Sequence, residues 1–107
     1  MHIVTEYSVE RWEKSGHPEP LGLRKIMTDQ GYDVFEWTDS PGTVYEMHSH
    51  SDEQSHWIIS GRLELTVDSI GTFVLAAGDR DFMPTETRHS ARVLGSEKVR
   101  YLIGTKN

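Results

Sequence analysis

The chain contains no cysteine among its 107 residues. A disulfide framework, a thiolate metal site and a cysteine nucleophile are therefore excluded, and any metal must be bound through nitrogen and oxygen. Basic residues are also scarce, since 11 lysines and arginines stand against 17 acidic residues, for a net charge of −6. Because nucleic-acid binding depends on a basic surface that neutralises phosphates, we predict no nucleic-acid partner.

Long hydrophobic runs are absent as well. No apolar run approaches the ~20 residues that a membrane-spanning helix requires, so we predict no membrane partner. The first six residues have neither the basic region nor the hydrophobic region of a signal peptide, which makes the cytoplasm the expected location. With 36% hydrophobic and 26% charged residues, the composition is typical of one globular domain.

The N-terminal forty residues differ in pattern from the rest of the chain. Residues 8–15 are predicted to form a short helix, and the apolar spacing over residues 21–30 predicts a second one. Residues 32–37 are rich in strand-forming side chains. We therefore expect residues 1–40 to form a helical and extended segment that packs on a barrel formed by residues 41–107.

From residue 43 onwards, short predicted strands alternate with turns. Residues 62–68 show strict alternation of polar and apolar side chains, the typical pattern of a half-buried strand. Several short strands at this spacing predict a closed antiparallel barrel or a double-sheet jelly roll. The predicted strands cover residues 43–49, 55–60, 62–68, 72–76, 80–83, 89–94 and 98–104.

Three histidines and a glutamine form the most informative pattern in this region. His48 and His50 lie two residues apart in a predicted strand, so their side chains share one face and lie roughly 7 Å apart. Gln54 follows after a short acidic turn, and His89 comes at the start of a later strand. Taken alone, His48 and His50 could equally be surface histidines on an edge strand. Together, three imidazoles and one side-chain oxygen suit a divalent transition metal.

The spacing of these residues resembles the two sequence motifs of the cupin family, over residues 42–93. The first motif comprises Gly42, His48, His50, Gln54 and Gly61. The second, looser motif comprises Gly78, Pro84 and His89. The resemblance implies an all-β protein, a double-stranded β-helix or jelly-roll barrel with a short N-terminal helical extension. It also implies a homodimer, because small cupins are commonly dimers.

The resemblance further implies that the metal ligands are His48, His50, Gln54 and His89. The family usually has glutamate at position 54, so the fourth ligand here would be an amide oxygen. The other interpretation of Gln54 is a hydrogen-bonding pocket residue, with water in the fourth position. Glu53 is a competing oxygen ligand, but it lies one residue off the motif and should point to the opposite face. Fe, Mn, Ni, Zn, Co and Cu all suit a thiol-free, nitrogen-rich shell.

His56 and Glu46 are the candidates for moving protons. His56 shares a face with Gln54 if the strand is regular, and it could be a further imidazole near the metal, a general base or a packed barrel histidine. Glu46 shares the face of His48 and His50 in a regular strand. A carboxylate buried there needs a partner or a pocket, which makes Glu46 a candidate contact for a ligand or a substrate.

Several other side chains are expected to be structural. Trp57 and Ile59 lie opposite His56, so the strand should be covered on both faces, by the N-terminal helix or by a second subunit. We expect Arg80 to face the solvent, and Phe82 and Met83 to lie in the core. Trp12 and Trp37 are expected to be packing residues of a helix and a strand, and not part of a ligand site.

Two classes of function are compatible with these observations. A neutral shell leaves a bound ion its full +2 charge, which favours anionic ligands such as carboxylates or enolates. The first hypothesis is a metalloenzyme, an isomerase, lyase or dioxygenase acting on a small oxygenated molecule in the barrel. The second is a non-catalytic module that binds a small molecule or a metal. The replacement of glutamate by Gln54 also allows an empty barrel that has lost its activity.

Overall fold

The computed structural model describes residues 4–107 and confirms the predicted all-β class. These residues form nine strands in two antiparallel sheets and one helix, which lies between the first and the second strand. The elements are β1 (Ser8–Glu10), α1 (Pro20–Asp29), β2 (Asp33–Asp39), β3 (Val44–His48), β4 (Glu53–Ser60), β5 (Leu63–Val67), β6 (Gly71–Leu75), β7 (Arg80–Phe82), β8 (His89–Val93) and β9 (Val99–Lys106). No helix in this part of the chain is both long and apolar enough to cross a membrane.

The two sheets form a jelly roll around one main core. The strand order is β1-β7-β4-β9-β2 in the five-stranded sheet and β3-β8-β5-β6 in the four-stranded sheet. In β5, Leu63, Leu65 and Val67 are buried and alternate with two partly exposed residues, as the sequence pattern predicts. Each such side chain contributes roughly 1.5–3 kcal/mol by its burial. Met83 lies in the same core, as predicted.

The helix α1 covers the outer face of the five-stranded sheet. Its N-terminus is capped by the Glu19 carboxylate, which accepts hydrogen bonds from two backbone amides of the first turn. Leu23 and Met27 on its buried face pack against Trp57 and Ile59 of β4. The expected cover for Trp57 and Ile59 therefore comes from the same chain, and this face does not require a second subunit.

The prediction of a helix over residues 8–15 is wrong. Residues Ser8–Glu10 form β1, which pairs with β7 at the edge of the five-stranded sheet. The following residues are held by Asp79, which accepts hydrogen bonds from the Trp12 backbone amide at 3.0 Å and from the Arg11 guanidinium at 2.9 Å. Pairing with an available sheet edge therefore outweighs the local helix signal. Residues 1–40 thus contribute two strands to the sheet, β1 and β2, in addition to α1.

The prediction that Arg80 faces the solvent is also wrong. Arg80 is only 2% exposed. Burial disfavours the charged guanidinium and lowers its pKa, so the group needs partners inside the protein. The guanidinium lies 4.5 Å and 4.3 Å from the ring centroids of Trp57 and Phe82. It also donates hydrogen bonds to the Ser55 hydroxyl at 2.8 Å and the Gln30 side-chain oxygen at 2.7 Å. These aromatic faces and acceptors replace the water that the charged group loses.

Candidate metal centre

Three histidines converge on the inner side of the four-stranded sheet. His48 at the end of β3 and His89 at the start of β8 are paired across the two strands, and His50 lies just beyond β3. The ring centroids are 4.3 Å apart for His48 and His89, 4.8 Å for His48 and His50, and 5.3 Å for His50 and His89. One nitrogen from each ring lies within 4.8 Å of the others. The structure therefore brings together the three imidazoles that the sequence singles out.

Hydrogen bonds to the backbone fix two of the three rings. The Nδ1–H of His48 donates to the Glu46 carbonyl at 2.6 Å, and the Nδ1–H of His89 donates to the Thr87 carbonyl at 2.9 Å. A carbonyl oxygen can only accept, so each Nδ1 carries the proton and each Nε2 keeps its lone pair. Metal-binding histidines are typically held in this way, by a hydrogen bond from the ring nitrogen that does not bind the metal.

The environment of the rings also favours the neutral form that binds metals. Burial lowers the pKa of His89 to about 4, and its neighbour His48 adds to the effect. Burial likewise lowers the pKa of His50, again with a contribution from His48. Both rings are therefore neutral at pH 7, and no proton must leave before an ion binds. The donor set fits a divalent transition metal.

Gln54 and Glu53 lie on opposite faces of β4, as predicted. Gln54 is 8% exposed and lines the same cavity as the three histidines. Its amide nitrogen lies 3.4 Å from an Asp52 carboxylate oxygen and donates to it, which orients the amide. Glu53 instead accepts a hydrogen bond from the Tyr32 hydroxyl at 2.6 Å and lies 4.0 Å from the Lys106 ammonium. Glu53 is thus held in the packing beneath α1, and of the two residues Gln54 is the one that lines the cavity.

A second polar group, formed by His56 and Asp81, lies on the five-stranded sheet. His56 lines the cavity, and its Nδ1–H donates to the Asp81 carboxylate, with Nδ1–oxygen distances of 2.9 Å and 3.1 Å. The Tyr7 hydroxyl also donates to this carboxylate, at 2.9 Å. Burial alone would lower the pKa of His56, but the charge and hydrogen bond of Asp81 outweigh it and raise that pKa. Asp81 thus contacts Nδ1 of the ring and not Nε2.

The cavity between the sheets has a volume of about 690 Å³. Its lining includes five polar side chains, His48, His50, Gln54, His56 and His89, and four aromatic ones, Phe35, Trp37, Tyr45 and Tyr101. The expectation that Trp37 only packs within the protein is therefore wrong, because it lines the cavity and is half exposed. A cavity of this size, mostly apolar with a few converging polar groups, is typical of a small-molecule site.

A family model described as the cupin domain matches residues 35–104. The chain belongs to the cupin family. The matched range includes every residue of the two motifs, from Gly42 to His89, and all three histidines of the candidate centre. No curated protein matches the sequence of this cupin.

Several solved structures resemble this cupin. The DMSP lyase DddQ from Ruegeria pomeroyi DSS-3 superposes with a TM-score of 0.65 and 21% identity, over 71% of this chain and 38% of the lyase chain. A mutant of the oxalate decarboxylase OxdC from Bacillus subtilis gives 0.62 and 28%, over 69% of this chain and 21% of that one. A DUF861 family protein from Thermotoga maritima gives 0.62 and 20%, over 94% and 100%. This cupin thus spans about two fifths of the lyase chain and about one fifth of the decarboxylase chain.

Glu46, the second candidate for proton transfer, does not line the cavity of this cupin. It is exposed, whereas Tyr45 and His48 both face the cavity. The pairing of β3 with β8 shifts register between Tyr45 and His48, so the strict alternation of faces is broken there. The expected shared face of Glu46 and His48 is therefore wrong, and His56 is the candidate that the structure places at the cavity.

Asp81 is the site residue that the sequence reasoning missed. It is fully buried, and it lies two residues before Met83, which is in the core. That spacing is a usable signal, because a carboxylate on an inward strand face needs a buried partner. The inward-facing His56 of a neighbouring strand is such a partner.

Proposed function

We propose that this cupin is a metal-dependent enzyme that acts on a small oxygenated molecule in the cavity. His48, His50 and His89 would hold the ion, with the Gln54 amide oxygen as the fourth ligand. The supporting observation is the convergence of three imidazoles whose pKa values or hydrogen bonds keep them ready to bind a metal. Packing alone does not account for it, because His89 is buried and its burial, with His48 beside it, disfavours the charged ring, a cost that a bound ion would offset.

The neutral ligand set indicates what kind of group would bind. A divalent ion of Fe, Mn, Ni, Zn, Co or Cu would supply Lewis acidity there and keep its full charge. The oxygen atoms of the ligand should therefore be anionic when bound, as in a carboxylate or an enolate.

The pair of His56 and Asp81 supports an enzyme over a non-catalytic binding module. Asp81 holds the Nδ1–H of His56, so Nε2 is directed to exchange protons with the bound molecule. The charge and hydrogen bond of Asp81 raise the pKa of His56 despite its burial, so the protonated ring is favoured and can act as a proton donor. Binding alone requires no such group, whereas isomerases and lyases depend on one.

The metal content of the purified protein tests this proposal first. Elemental analysis should find a near-stoichiometric transition metal, or uptake after incubation with Mn, Fe, Ni or Zn. His48→Ala and His50→Ala should remove this binding. His17→Ala is the matched control, because His17 is exposed and lies outside the centre. Absence of uptake by the unchanged protein, or equal affinity in all three variants, would contradict the proposed centre.

Two assays on the loaded protein then separate the reaction classes. Deuterium uptake from D₂O next to a substrate carbonyl, followed by NMR, would report proton transfer by His56. Consumption of oxygen with diketones would report dioxygenase-type chemistry. Binding of these compounds without either signal would instead support the non-catalytic module.

The assembly and location of the protein belong to the same proposal. The family resemblance leads us to expect a homodimer, and a cytoplasmic location remains the expectation from the sequence. Because α1 already covers Trp57 and Ile59, the dimer interface would lie on another face. Sedimentation equilibrium decides the oligomeric state.

A further inference from the structure

We infer that the ligand of this cavity carries an aromatic or otherwise apolar body, attached to the oxygen-bearing head group that the histidines would receive. The inference rests on the proposed function for the position of the head group. It depends on three features of the cavity wall. These are the hydrogen bonds of its aromatic side chains, the lack of lysine and arginine among its described residues, and the distance between Thr105 and Tyr101 along β9.

One buried carboxylate, that of Asp39, accepts hydrogen bonds from three aromatic residues of the wall. It is 7% exposed, and it accepts hydrogen bonds from the Tyr45 hydroxyl at 2.6 Å, the Tyr101 hydroxyl at 2.7 Å and the Trp37 indole N–H at 3.1 Å. Hydrogen bonds to a carboxylate are among the stronger ones in proteins. These donors are therefore committed to Asp39, and Trp37, Tyr45 and Tyr101 offer the cavity their rings alone.

Among the residues that the structure describes, no positively charged side chain of the wall could bind a second anionic group of the ligand. No lysine or arginine lines the cavity among residues 4–107. The carboxylate that does line it belongs to Glu36, which pairs with Arg100 at 2.9 Å. A dicarboxylate or a phosphorylated compound would have to leave one charge without a partner, which is costly in an apolar site. The remaining wall is formed by one threonine, Thr105, and by five apolar residues, namely Phe35, Leu63, Leu65, Ala91 and Ile103.

The register of β9 gives the dimensions of such a ligand. Thr105 is paired with Gln54, Ile103 with His56, and Tyr101 with Trp37 on the other side of β9. Thr105 and Tyr101 are four residues apart, roughly 13 Å along the strand, and Ile103 lies halfway. A molecule whose head group lies beside Gln54 would thus pass His56 and extend its body over the aromatic wall.

The exposure of two aromatic side chains of the cavity also supports an apolar body of the ligand. Phe35 and Trp37 line the cavity and yet are 53% and 50% exposed. Large apolar side chains that are exposed at the entrance of a pocket are commonly covered when the ligand binds. The body of the ligand would bury part of these two rings.

A pair of chelators with the same head group tests the inference. Acetohydroxamate and benzohydroxamate differ by a methyl and a phenyl group, and calorimetry measures their affinity for the zinc-loaded protein. We expect benzohydroxamate to bind at least about tenfold more tightly, because the phenyl ring buries apolar surface that methyl does not. Equal affinities, or tighter binding of oxalate than of benzohydroxamate, would overturn the inference.

Two variants locate the effect on the wall. Phe35→Ser should remove most of the preference for the phenyl compound. Ile70→Ser is the matched control, because Ile70 is 56% exposed, close to the exposure of Phe35, and lies outside the cavity. A loss of preference in the control variant, or none in Phe35→Ser, would also contradict the inference.

A titration of the metal-free protein separates this inference from the proposed function. Benzyl alcohol should shift the NMR signals of the Trp37 indole and of Ile103, whereas succinate should leave them unchanged. If zinc does not bind, the metal-dependent function fails, but this titration still decides the chemistry of the wall. If benzyl alcohol leaves both signals in place, the apolar body is wrong whether or not the metal binds.

Discussion

The Asp81 carboxylate contacts His56 twice, accepting a hydrogen bond from its backbone amide at 2.7 Å and one from its ring Nδ1–H at 2.9 Å. The same carboxylate oxygen takes part in both contacts. One buried charge therefore fixes the position of β4 relative to β7 and, at the same time, the orientation of the His56 ring. The contact combines a structural role with the control of a proton-transfer group.

Replacement of Asp81 by asparagine should separate these two roles. Asparagine keeps the shape and one acceptor oxygen but removes the charge, so the pKa of His56 should fall below its ordinary value of about 6.5, because burial then outweighs the one remaining hydrogen bond. NMR titration of the His56 ring measures this shift. The free energy of unfolding should decrease by about 1–3 kcal/mol, since the hydrogen bonds to a charged group are weakened.

The pH dependence of that loss follows from the direction of the shift. Since the pKa of His56 is raised in the folded protein, its pairing with Asp81 stabilises the fold fully below about pH 6.5. This contribution disappears as the pH rises through the raised pKa. The difference in stability between the unchanged protein and Asp81→Asn should therefore be larger at pH 6 than at pH 9. Asp68→Asn, at an exposed position, is the control, and a pH-independent difference would refute the linkage.

Replacement of Gln54 by glutamate tests whether position 54 binds the ion. A carboxylate would add a negative ligand, so affinity for zinc should rise by at least about tenfold. The metal-free variant should be less stable, because the new carboxylate would lie close to Asp52, which now accepts from the Gln54 amide at 3.4 Å. Thermal unfolding with and without zinc measures both effects, and the stabilisation by zinc should increase.

Gln30→Glu is the matched control for this experiment. It introduces the same charge at an exposed position outside the cavity, where the Gln30 oxygen accepts from Arg80. Its zinc affinity should be unchanged. If Gln54→Glu binds zinc no more tightly than Gln30→Glu does, position 54 is a wall residue and water completes the shell.

Features with a repeated local pattern could be predicted from the sequence. The alternation of Leu63, Leu65 and Val67 defines β5, and the spacing of His48, His50 and His89 brings three rings to one place. The β5 pattern and the shared side of His48 and His50 follow from strand geometry, because side chains two residues apart share a face. The cupin resemblance added the jelly-roll architecture and the placement of His89 beside the other two histidines.

Features that depend on a distant partner could not be predicted. Residues Ser8–Glu10 are a strand because β7 offers an edge, which the local sequence does not show. The short strand β7 has too few residues for a periodic pattern, so the burial of Arg80 and Asp81 depends on aromatic and histidine partners in other strands. The outward position of Glu46 results from an irregular register that leaves no clear mark in the sequence.

Gly42 and Gly61, the first and last residues of the first motif, have the same backbone conformation but different packing around them. Gly42 and Gly61 both have a φ of +81°, a left-handed conformation that favours glycine. A Cβ at Gly42 would meet no atom within 4 Å, whereas a Cβ at Gly61 would collide with the Lys98 carbonyl oxygen and lie 2.8 Å from the Val99 Cα. These are backbone atoms at the start of β9, and they cannot move without disturbing the sheet that carries His56 and Gln54.

Alanine at these positions should therefore have unequal effects. Gly42→Ala should lower the free energy of unfolding by about 1–2 kcal/mol, the cost of the left-handed conformation alone. Gly61→Ala should lower it by roughly 2–5 kcal/mol, because the overlap with β9 adds to that cost. Urea unfolding of both variants measures the difference, and a similar slope in denaturant shows that the same fold unfolds. Equal losses would mean that β9 moves freely away from Gly61, and the motif glycine would then matter for its φ alone.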